Sequence, residues 1–247
     1  MLNGKKIALG VTGGIAVYKA VDLVSRLRKQ GAEVRVIMTE HAQQFVTPLT
    51  FKEISGNKVA VSMWDSNQEF NVEHIALANW ADAFVVAPAT ANILAKMANG
   101  IADDLLSTTL LAAQAPIIVC PAMNTGMYQN SITQENIEKL QKHGVTVMPP
   151  AVGYLACGVT GPGRLPEPQQ IVEFIDAFFA KKDGDMVGMK VLVTAAGTRE
   201  PIDPVRFVGN RSSGKMGYAI AQAAAQRGAE VLLVTGPSAL EIPPNVN

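Results

Sequence analysis

The amino-acid sequence predicts an α/β protein built on a parallel β-sheet that helices cover on both faces. Three observations lead to this prediction. Apolar segments of strand length alternate with helical segments through the first 150 residues, which is the pattern of repeated β-α-β units. The segments AFVVA and PIIVC are apolar at every position, as expected for strands buried on both faces. Near residue 190 the strand-helix-strand pattern begins again.

The first β-α-β unit has a regular pattern. Residues 5–11 (KKIALGV) and 33–39 (EVRVIMT) have the composition of strands. The helix between them has one apolar stripe, formed by Val17, Val21, Val24 and Leu27. Gly31 is placed where it can end this helix.

Three more strands and two helical segments follow. The predicted strands are residues 82–90, 115–124 and 145–150, and helical patterns cover 91–114 and 133–144. We therefore expect about five parallel strands in a doubly wound sheet of the flavodoxin-like or Rossmann-like type.

The composition of the chain changes after residue 157. The segment GVTGPGRLPEP is rich in Gly and Pro and predicts a loop, which precedes a helix. Residues 1–182 are predicted to form the first domain, and 183–189 a polar linker that contains glycine. Residues 190–247 repeat the opening pattern, so we expect the first β-α-β unit of a second, truncated α/β domain.

Composition and charge argue against several classes of function. The chain has 247 residues, 48% of them hydrophobic, and a formal net charge of zero. Because it has no long run of Lys or Arg, no partnership with nucleic acid or an anionic membrane is expected. Two cysteines are too few for a disulfide framework, and no apolar stretch approaches the ~20 residues that span a bilayer. We expect a cytoplasmic protein.

The residues that follow the strands are the candidates for ligand binding, because ligands of open parallel sheets bind beyond the carboxyl ends of the strands. The segment GVTGGIA follows the first strand, and Gly13 and Gly14 would let the backbone approach a phosphate or a flat ring. The alternative is that these glycines only allow close packing. Thr12 breaks the dinucleotide fingerprint, while Glu40 after Thr39 keeps an NAD site open.

Further candidates follow the third strand or stand alone. Thr90 in APATAN offers a hydroxyl group to a planar ligand, although helix capping explains it almost as well. His74 has either a structural or a functional role, and Cys157, on the predicted loop, is either reactive or packed. Cys120 lies in an apolar strand and is predicted to be core. No metal-ligand spacing and no Ser-His-acid arrangement is present.

Four segments together resemble the motifs of one family. GVTGGIAVYKA, EHIALANWAD, PAMNTGMY and ACGVTGPGR are similar to the motifs of the flavin-containing cysteine decarboxylases. They look like the N-terminal half of the bifunctional decarboxylase–ligase enzymes of coenzyme A biosynthesis. The segment TAAGTREPIDPVRFVGNRSSGKMG resembles the start of the ligase half of the same enzymes, so the resemblance covers the whole chain in order.

The resemblance implies FMN-dependent decarboxylation of 4′-phosphopantothenoylcysteine to 4′-phosphopantetheine. It implies His74 as a base or orienting group, Asn124 as the partner of the substrate carboxylate and Cys157 as a proton donor. Met127 and Arg164 are implied as further substrate contacts. The implied FMN contacts are Gly13, Gly14, Ile15, Thr39, Pro88, Ala89, Thr90 and Ser107. The resemblance also implies homotrimers, often assembled into dodecamers, in which His74 would reach a neighbour's flavin.

The resemblance also bears on the second domain and on the alternatives. Asn210, Ser212, Ser213 and Gly214 match a nucleotide-proximal loop of the ligase half, which uses CTP and Mg²⁺. Because later ligase segments are absent, we expect this half to be inactive here. A flavin prenyltransferase is one alternative, but it does not account for PAMN together with Cys157. A regulatory flavoprotein without enzymatic activity is the other, and it would not need Asn124 or Cys157.

Overall fold

The computed structural model describes residues 2–64, 73–156 and 158–247, with backbone alone for 181–183. The chain divides into two compact units, residues 2–174 and 175–247. Each unit is described by itself below.

The first unit is built on a parallel sheet of six strands. The strands are β1 (Lys6–Val11), β2 (Glu33–Met38), β3 (Val59–Ala60), β4 (Ala83–Ala89), β5 (Ile117–Pro121) and β6 (Thr146–Val147). Their order is β3-β2-β1-β4-β5-β6, so the direction of winding reverses between β1 and β4. All seven residues of β4 are buried, as their apolar composition requires. The predicted doubly wound α/β fold is confirmed.

The expected number of about five strands was one too few. The additional strand, β3, has only two residues, which pair with Val36 and Ile37 of β2. Two residues are too short to show a hydrophobic period in the sequence, so no pattern could predict this strand.

Eight helices lie within the first unit among its described residues. They are α1 (Val17–Lys29), α2 (Glu40–Gln43), α3 (Pro48–Ser55), α4 (Glu73–Trp80), α5 (Ala91–Asn99), α6 (Leu105–Ala112), α7 (Thr125–Gln129) and α8 (Ser131–Lys142). Helix α1 buries Val17, Val24 and Leu27 of the predicted stripe, while Val21 is half-buried.

The single helical segment predicted for residues 91–114 is two helices. Gly100 ends α5 in the left-handed conformation with φ of 68°, which glycine adopts without steric cost. Asp104 then starts α6 with a capping box, in which its side chain accepts a hydrogen bond from the Ser107 backbone. These two caps end one helix and begin the next.

The Gly- and Pro-rich segment predicted as a loop is instead one strand of an antiparallel hairpin. The hairpin consists of β7 (Ala151–Tyr154) and β8 (Thr160–Arg164). A Cβ atom at Gly161 would lie 2.7 Å from Thr125 Cγ2, and one at Gly163 would overlap the Met123 carbonyl oxygen. The glycines therefore allow β8 to lie close against the segment after β5, where the Met123 N–H donates to the Gly163 carbonyl at 2.9 Å.

The second unit contains the predicted β-α-β element. Helix α9 (Pro168–Asp183) includes the boundary between the units, and β9 (Lys190–Ala195), β10 (Arg199–Pro201), β11 (Phe207–Gly209), α10 (Lys215–Gln226) and β12 (Glu230–Thr235) follow. Strands β9 and β12 are parallel, and β10 and β11 form a small antiparallel pair that was not predicted. A small apolar cluster that includes Val193, Ala221 and Val231 joins α10 to the two parallel strands. None of the helices described in either unit is long and apolar enough to cross a membrane.

Candidate functional site

A cavity of about 390 Å³ lies at the carboxyl ends of β1, β4 and β5. Its walls come from the turn into α1, the turn into α5, the segment after β5 and the β7–β8 hairpin. It is lined by Gly13, Gly14, Ile15, Ala16, Tyr18, Lys19, Pro88, Thr90, Ala91, Ala122, Met123, Asn124, Met127, Tyr154, Leu155, Ala156, Gly163, Arg164 and Leu165. Its position is the one at which open parallel sheets bind ligands, beside the reversal of strand order.

The buried Thr12 hydroxyl joins two walls of the cavity. It donates to the Pro88 carbonyl at 2.7 Å and accepts from the Thr90 backbone N–H at 3.1 Å. A threonine at the second position of the glycine fingerprint therefore ties β1 to β4. Sequence reasoning noted only that Thr12 breaks the fingerprint, because the partners of its hydroxyl are 76 and 78 residues away.

The two roles considered for the glycine pair, close packing and access of a ligand to the backbone, belong to different glycines. A Cβ atom at Gly13 would clash with His41 and lie 2.8 Å from its backbone carbon, so Gly13 is required for packing against α2. At Gly14 the nearest atom to such a Cβ would be Thr90 Cγ2 at 3.8 Å. Gly14 thus leaves the backbone accessible from the cavity.

Three predicted hydroxyl residues take part in helix capping. Thr90 caps α5 and lines the cavity. Thr39 caps α2 by accepting from the Ala42 N–H at 3.3 Å, and it is not among the lining residues. The Ser107 hydroxyl donates to Asp104 Oδ1 at 2.9 Å, and Ser107 lines a separate cavity of about 280 Å³. The FMN contacts expected of Thr39 and Ser107 stay predictions.

Asn124 is held at the start of α7. Its Oδ1 atom accepts from the Gly126 N–H at 2.8 Å, which fixes one end of the side-chain amide. Met123 and Met127 lie beside it and contribute apolar surface to the cavity. The structure therefore places a fixed neutral amide within an adaptable apolar wall.

Two cationic residues, Lys19 and Arg164, carry all the charge of the described cavity lining. Lys19 is 6% exposed, and its ammonium group donates to the Leu165 carbonyl and to Glu167 Oε1, both at 3.0 Å. Arg164 donates to the same Glu167 oxygen at 2.6 Å. The hydrogen bond from Lys19 holds the pKa of Glu167 below its usual value. Sequence reasoning missed Lys19 and Glu167, since a lysine within a helix gives no sign of being buried.

The remaining predicted residues of the first unit lie elsewhere. His74 is a half-buried residue of α4 and does not line the cavity. Ala89 is fully buried within β4. Cys157 lies outside the described residues, but its neighbours Leu155 and Ala156 line the cavity. The eight predicted residues that meet there are Gly13, Gly14, Ile15, Pro88, Thr90, Asn124, Met127 and Arg164.

Two further findings limit the chemistry of the described residues. Burial raises the pKa of the Cys120 thiol to about 12, so this predicted core residue is not a nucleophile near neutral pH. No group of three or more His, Cys, Asp or Glu residues within the described ranges is arranged to hold a metal ion.

In the second unit, the predicted loop residues meet at the start of α10. Asn210 Oδ1 accepts from the Ser212 N–H at 3.0 Å, and Gly214 begins α10 with φ of 77°. Ser212 and Ser213 are exposed. A helix N-terminus with exposed hydroxyl groups is compatible with an anion, which leaves the predicted nucleotide role open.

Comparison with known proteins identifies families for both parts of the chain. Residues 1–180 match the model of the Flavoprotein family, and residues 186–247 match the DNA/pantothenate metabolism flavoprotein C-terminal domain. The coenzyme A biosynthesis bifunctional protein CoaBC of Haemophilus influenzae is 52% identical over 246 residues, covering 100% of this chain and 61% of that protein. CoaBC of Escherichia coli K12 is 51% identical, covering 99% of this chain and 60% of that protein. This chain thus spans about three fifths of these relatives.

Solved structures agree with the first of these matches. A PPC decarboxylase mutant complexed with pantothenoylaminoethenethiol is 32% identical, with a TM-score of 0.64, and the match covers 72% of this chain and 99% of that one. The FMN binding protein AtHal3 is also 32% identical, with a TM-score of 0.62, and the match covers 72% of this chain and 97% of that one. The family match, the identities and the cavity beyond the strand ends all agree: the chain belongs to the Flavoprotein family.

Proposed function

We propose that this chain decarboxylates 4′-phosphopantothenoylcysteine to 4′-phosphopantetheine with FMN as its cofactor, a step of coenzyme A biosynthesis. The observation that carries the proposal is that Asn124 and Arg164 share one cavity with the turns at Gly14 and Thr90. The names of the relatives support it, since CoaBC proteins are about half identical to this chain and a PPC decarboxylase matches over nearly its whole length.

The residues of the cavity fit a flavin. Ile15, Pro88 and Met127 offer apolar surface to a planar ring, and Gly14 leaves room for the ring to approach the backbone. Gly13 and Thr90 would complete this side of the site. Ala89 is buried in β4 and would act only by holding the end of that strand in place. When bound, FMN supplies a reversible two-electron oxidation of the thiol-bearing carbon of the substrate, which makes loss of CO₂ possible.

Asn124 is proposed to orient the substrate carboxylate. Its Oδ1 atom is fixed by the Gly126 N–H, so the side-chain amide presents its Nδ2 donors in a set direction. A neutral amide can orient a carboxylate without placing a full positive charge beside it. A positive charge would stabilise the substrate more than the transition state, because the carboxylate loses its negative charge as CO₂ leaves.

Cys157 is proposed to donate a proton to the product after CO₂ has left. Leu155 and Ala156, which line the cavity, support this proposal because they bring the chain to the site just before Cys157. Replacing Cys157 with Ser should leave CO₂ release measurable but prevent formation of the reduced thiol, so that an oxidised enethiol accumulates. Normal amounts of 4′-phosphopantetheine from Cys157→Ser, measured by mass spectrometry, would contradict the assignment.

His74 is proposed to act at the site of a neighbouring copy in a trimer or dodecamer. This is supported by the position of His74 outside the lining of the cavity of its own chain. We also propose that the protein is cytoplasmic, because its relatives are named for coenzyme A biosynthesis.

The domain boundaries are also proposals. Domains at 1–182 and 190–247 with a linker at 183–189 are supported by family matches that end at residue 180 and resume at residue 186.

The decisive experiment is an assay of CO₂ release from phosphopantothenoylcysteine by the FMN-loaded protein. We expect CO₂ and 4′-phosphopantetheine in equal amounts. Asn124→Asp should bind FMN with an unchanged flavin spectrum but release no CO₂, because a second carboxylate repels that of the substrate. A protein that binds FMN and releases no CO₂ would favour the regulatory flavoprotein, and consumption of a prenyl phosphate would favour the prenyltransferase.

A further inference from the structure

Three charged residues form a cluster at the edge of the cavity. We call Lys19, Arg164 and Glu167 the Glu167 cluster. Lys19 lies on α1 and Arg164 ends β8, and both donate to the same carboxylate oxygen, Glu167 Oε1. The cluster joins the first helix of the chain to the second strand of the hairpin.

The two cations of the cluster differ in how easily they can change partner. The Lys19 side chain is 7% exposed, and its contacts with Glu167 and the Leu165 carbonyl compensate a buried charge. Breaking such a pair is costly because it leaves the charge buried and uncompensated. The Arg164 side chain is 43% exposed and donates to Glu167 through Nη2, so other N–H groups of its guanidinium can meet a ligand while Glu167 keeps the side chain in place.

The charge of the cluster indicates the kind of ligand. Two cations and one anion leave one net positive charge beside a cavity whose described lining is otherwise uncharged. A guanidinium group binds the oxygens of a phosphate with paired hydrogen bonds. Asn124 in the same cavity is already assigned to the substrate carboxylate. A phosphate monoester is therefore the anion that remains for Arg164.

We propose that Glu167 is a positioning residue that holds the Arg164 guanidinium ready to bind a phosphate monoester. This inference rests on the proposed function, in which the substrate and FMN each carry such a group. Lys19 fixes Glu167, Glu167 fixes Arg164, and Arg164 contacts the phosphate. Without Glu167 the long Arg164 side chain would have to be ordered by the ligand alone, which weakens binding.

The sign of the effect separates positioning from simple electrostatics. Glu167→Gln removes a negative charge near the site, which by charge alone would strengthen the binding of a phosphate. Positioning predicts the opposite result. Since ordering a long side chain costs about 1.5 kcal/mol, we expect roughly tenfold weaker binding, with kcat changed less than about twofold.

The experiment compares ligands with and without the phosphate. KM is measured for phosphopantothenoylcysteine and for pantothenoylcysteine, and Kd is measured for FMN and for riboflavin by flavin fluorescence. Glu173→Gln is the matched control, because Glu173 is an exposed residue of α9 whose side chain accepts a hydrogen bond from Gln169. Thermal unfolding of each variant checks that it is folded.

Two results support the proposal and identify the source of the phosphate. If KM rises for phosphopantothenoylcysteine but not for pantothenoylcysteine, the phosphate that Arg164 binds is that of the substrate. If Kd rises for FMN but not for riboflavin, the phosphate is that of the cofactor. In either case the effect of Glu167→Gln should vanish in an Arg164→Gln background, because Glu167 acts through Arg164. The proposal would be overturned if Glu167→Gln bound the phosphorylated ligands more tightly or left KM and Kd unchanged. Equal changes for ligands with and without the phosphate would also overturn it. If the wild-type protein released no CO₂, the proposed function would fail, while the comparison of FMN with riboflavin would still test the cluster.

Discussion

Gly13 and Gly14 are neighbours in the chain but meet different surroundings. Gly13→Ala would press a methyl group against His41, and we expect it to destabilise the fold by about 1–3 kcal/mol. Gly14→Ala meets no atom nearer than 3.8 Å, so its stability should stay within about 0.5 kcal/mol of the wild type. Its FMN affinity should fall about tenfold, because Gly14 lines the cavity and an added methyl group would keep the flavin from its backbone.

Urea unfolding and flavin fluorescence test this pair of variants, and each variant serves as the control for the other. A stable Gly13→Ala protein would mean that α2 can move away at little cost. Unchanged FMN affinity in Gly14→Ala would mean that the flavin does not approach the backbone at this residue.

Glu167 gives the molecule a predictable dependence on pH. Its hydrogen bond from Lys19, and the nearby charge of Arg164, hold its pKa below the ordinary value of 4.5. Because the pKa in the folded state is depressed, the stabilisation is present above pH 4.5 and is lost as the pH falls through the folded-state value. Lys19 and Arg164 are the charged groups that contact Glu167.

The Tm difference between the wild type and Glu167→Gln measures this contribution. We expect a lower Tm for the variant at pH 7, and a difference that narrows as the pH drops below 4.5. A difference that stays constant over this range would show that Glu167 contributes through packing rather than through its charge.

At the scale of elements, the β7–β8 hairpin depends on glycines that touch another segment. Gly163 has φ of 128°, and a Cβ atom there would overlap the Met123 carbonyl oxygen. Gly163→Ala should therefore displace β8 and break the hydrogen bond from the Met123 N–H. We expect faster hydrogen exchange at the Met123 amide and slower CO₂ release.

Gly153→Ala is the control within the same hairpin. A Cβ atom there would meet only the Arg164 side chain, at 3.4 Å from its Nη1 atom, and that flexible end can move. It should leave exchange at Met123 unchanged. Protection of Met123 in Gly163→Ala equal to that in the wild type would show that the hairpin tolerates the added methyl group.

The sequence predicted the elements whose own residues carry the signal. Strands β1, β4 and β5 are mainly apolar, β2 has apolar residues at four of its six positions, and α1 has a clear stripe, so local pattern was sufficient. The break at Gly100 was visible as a residue but not as a cap, because a glycine ends a helix only where it adopts the left-handed conformation, here with φ of 68°. Glycines that predicted a loop at β8 serve contacts with Met123 and Thr125, which no local pattern reveals.

The candidate site followed the same rule. Residues just after strands, such as Gly14, Thr90 and Asn124, were predicted because the topology brings strand ends together. Lys19 and Glu167 were not, since they are 148 residues apart and neither is unusual in its own segment. Thr39 caps α2, and Ser107 completes the capping box that Asp104 begins at α6, which are common roles of hydroxyl residues.

At the scale of the whole molecule, the proposed sharing of sites between copies predicts complementation. His74→Asn and Asn124→Asp should each be inactive when expressed alone. Mixed oligomers formed by co-expression should recover part of the CO₂ release, because some sites then combine an intact His74 with an intact Asn124 from another copy. Light scattering should give the mass of a trimer or a multiple of it. A fully active monomer, or no recovery in verified mixed oligomers, would contradict shared sites.

The contacts of Lys19 set the order in which the site can be completed. The acceptors of its ammonium group lie 146 and 148 residues further along the chain, so α1 is synthesised long before the atoms that compensate its buried charge exist. Contacts of such sequence separation form late, since a long loop must close first. A nascent chain that has not reached Glu167 therefore has the turns at Gly14, Thr90 and Asn124 but lacks the carboxylate that compensates the buried Lys19 ammonium group in the cavity wall. Stable cofactor capture must then wait for the ribosome to pass that residue.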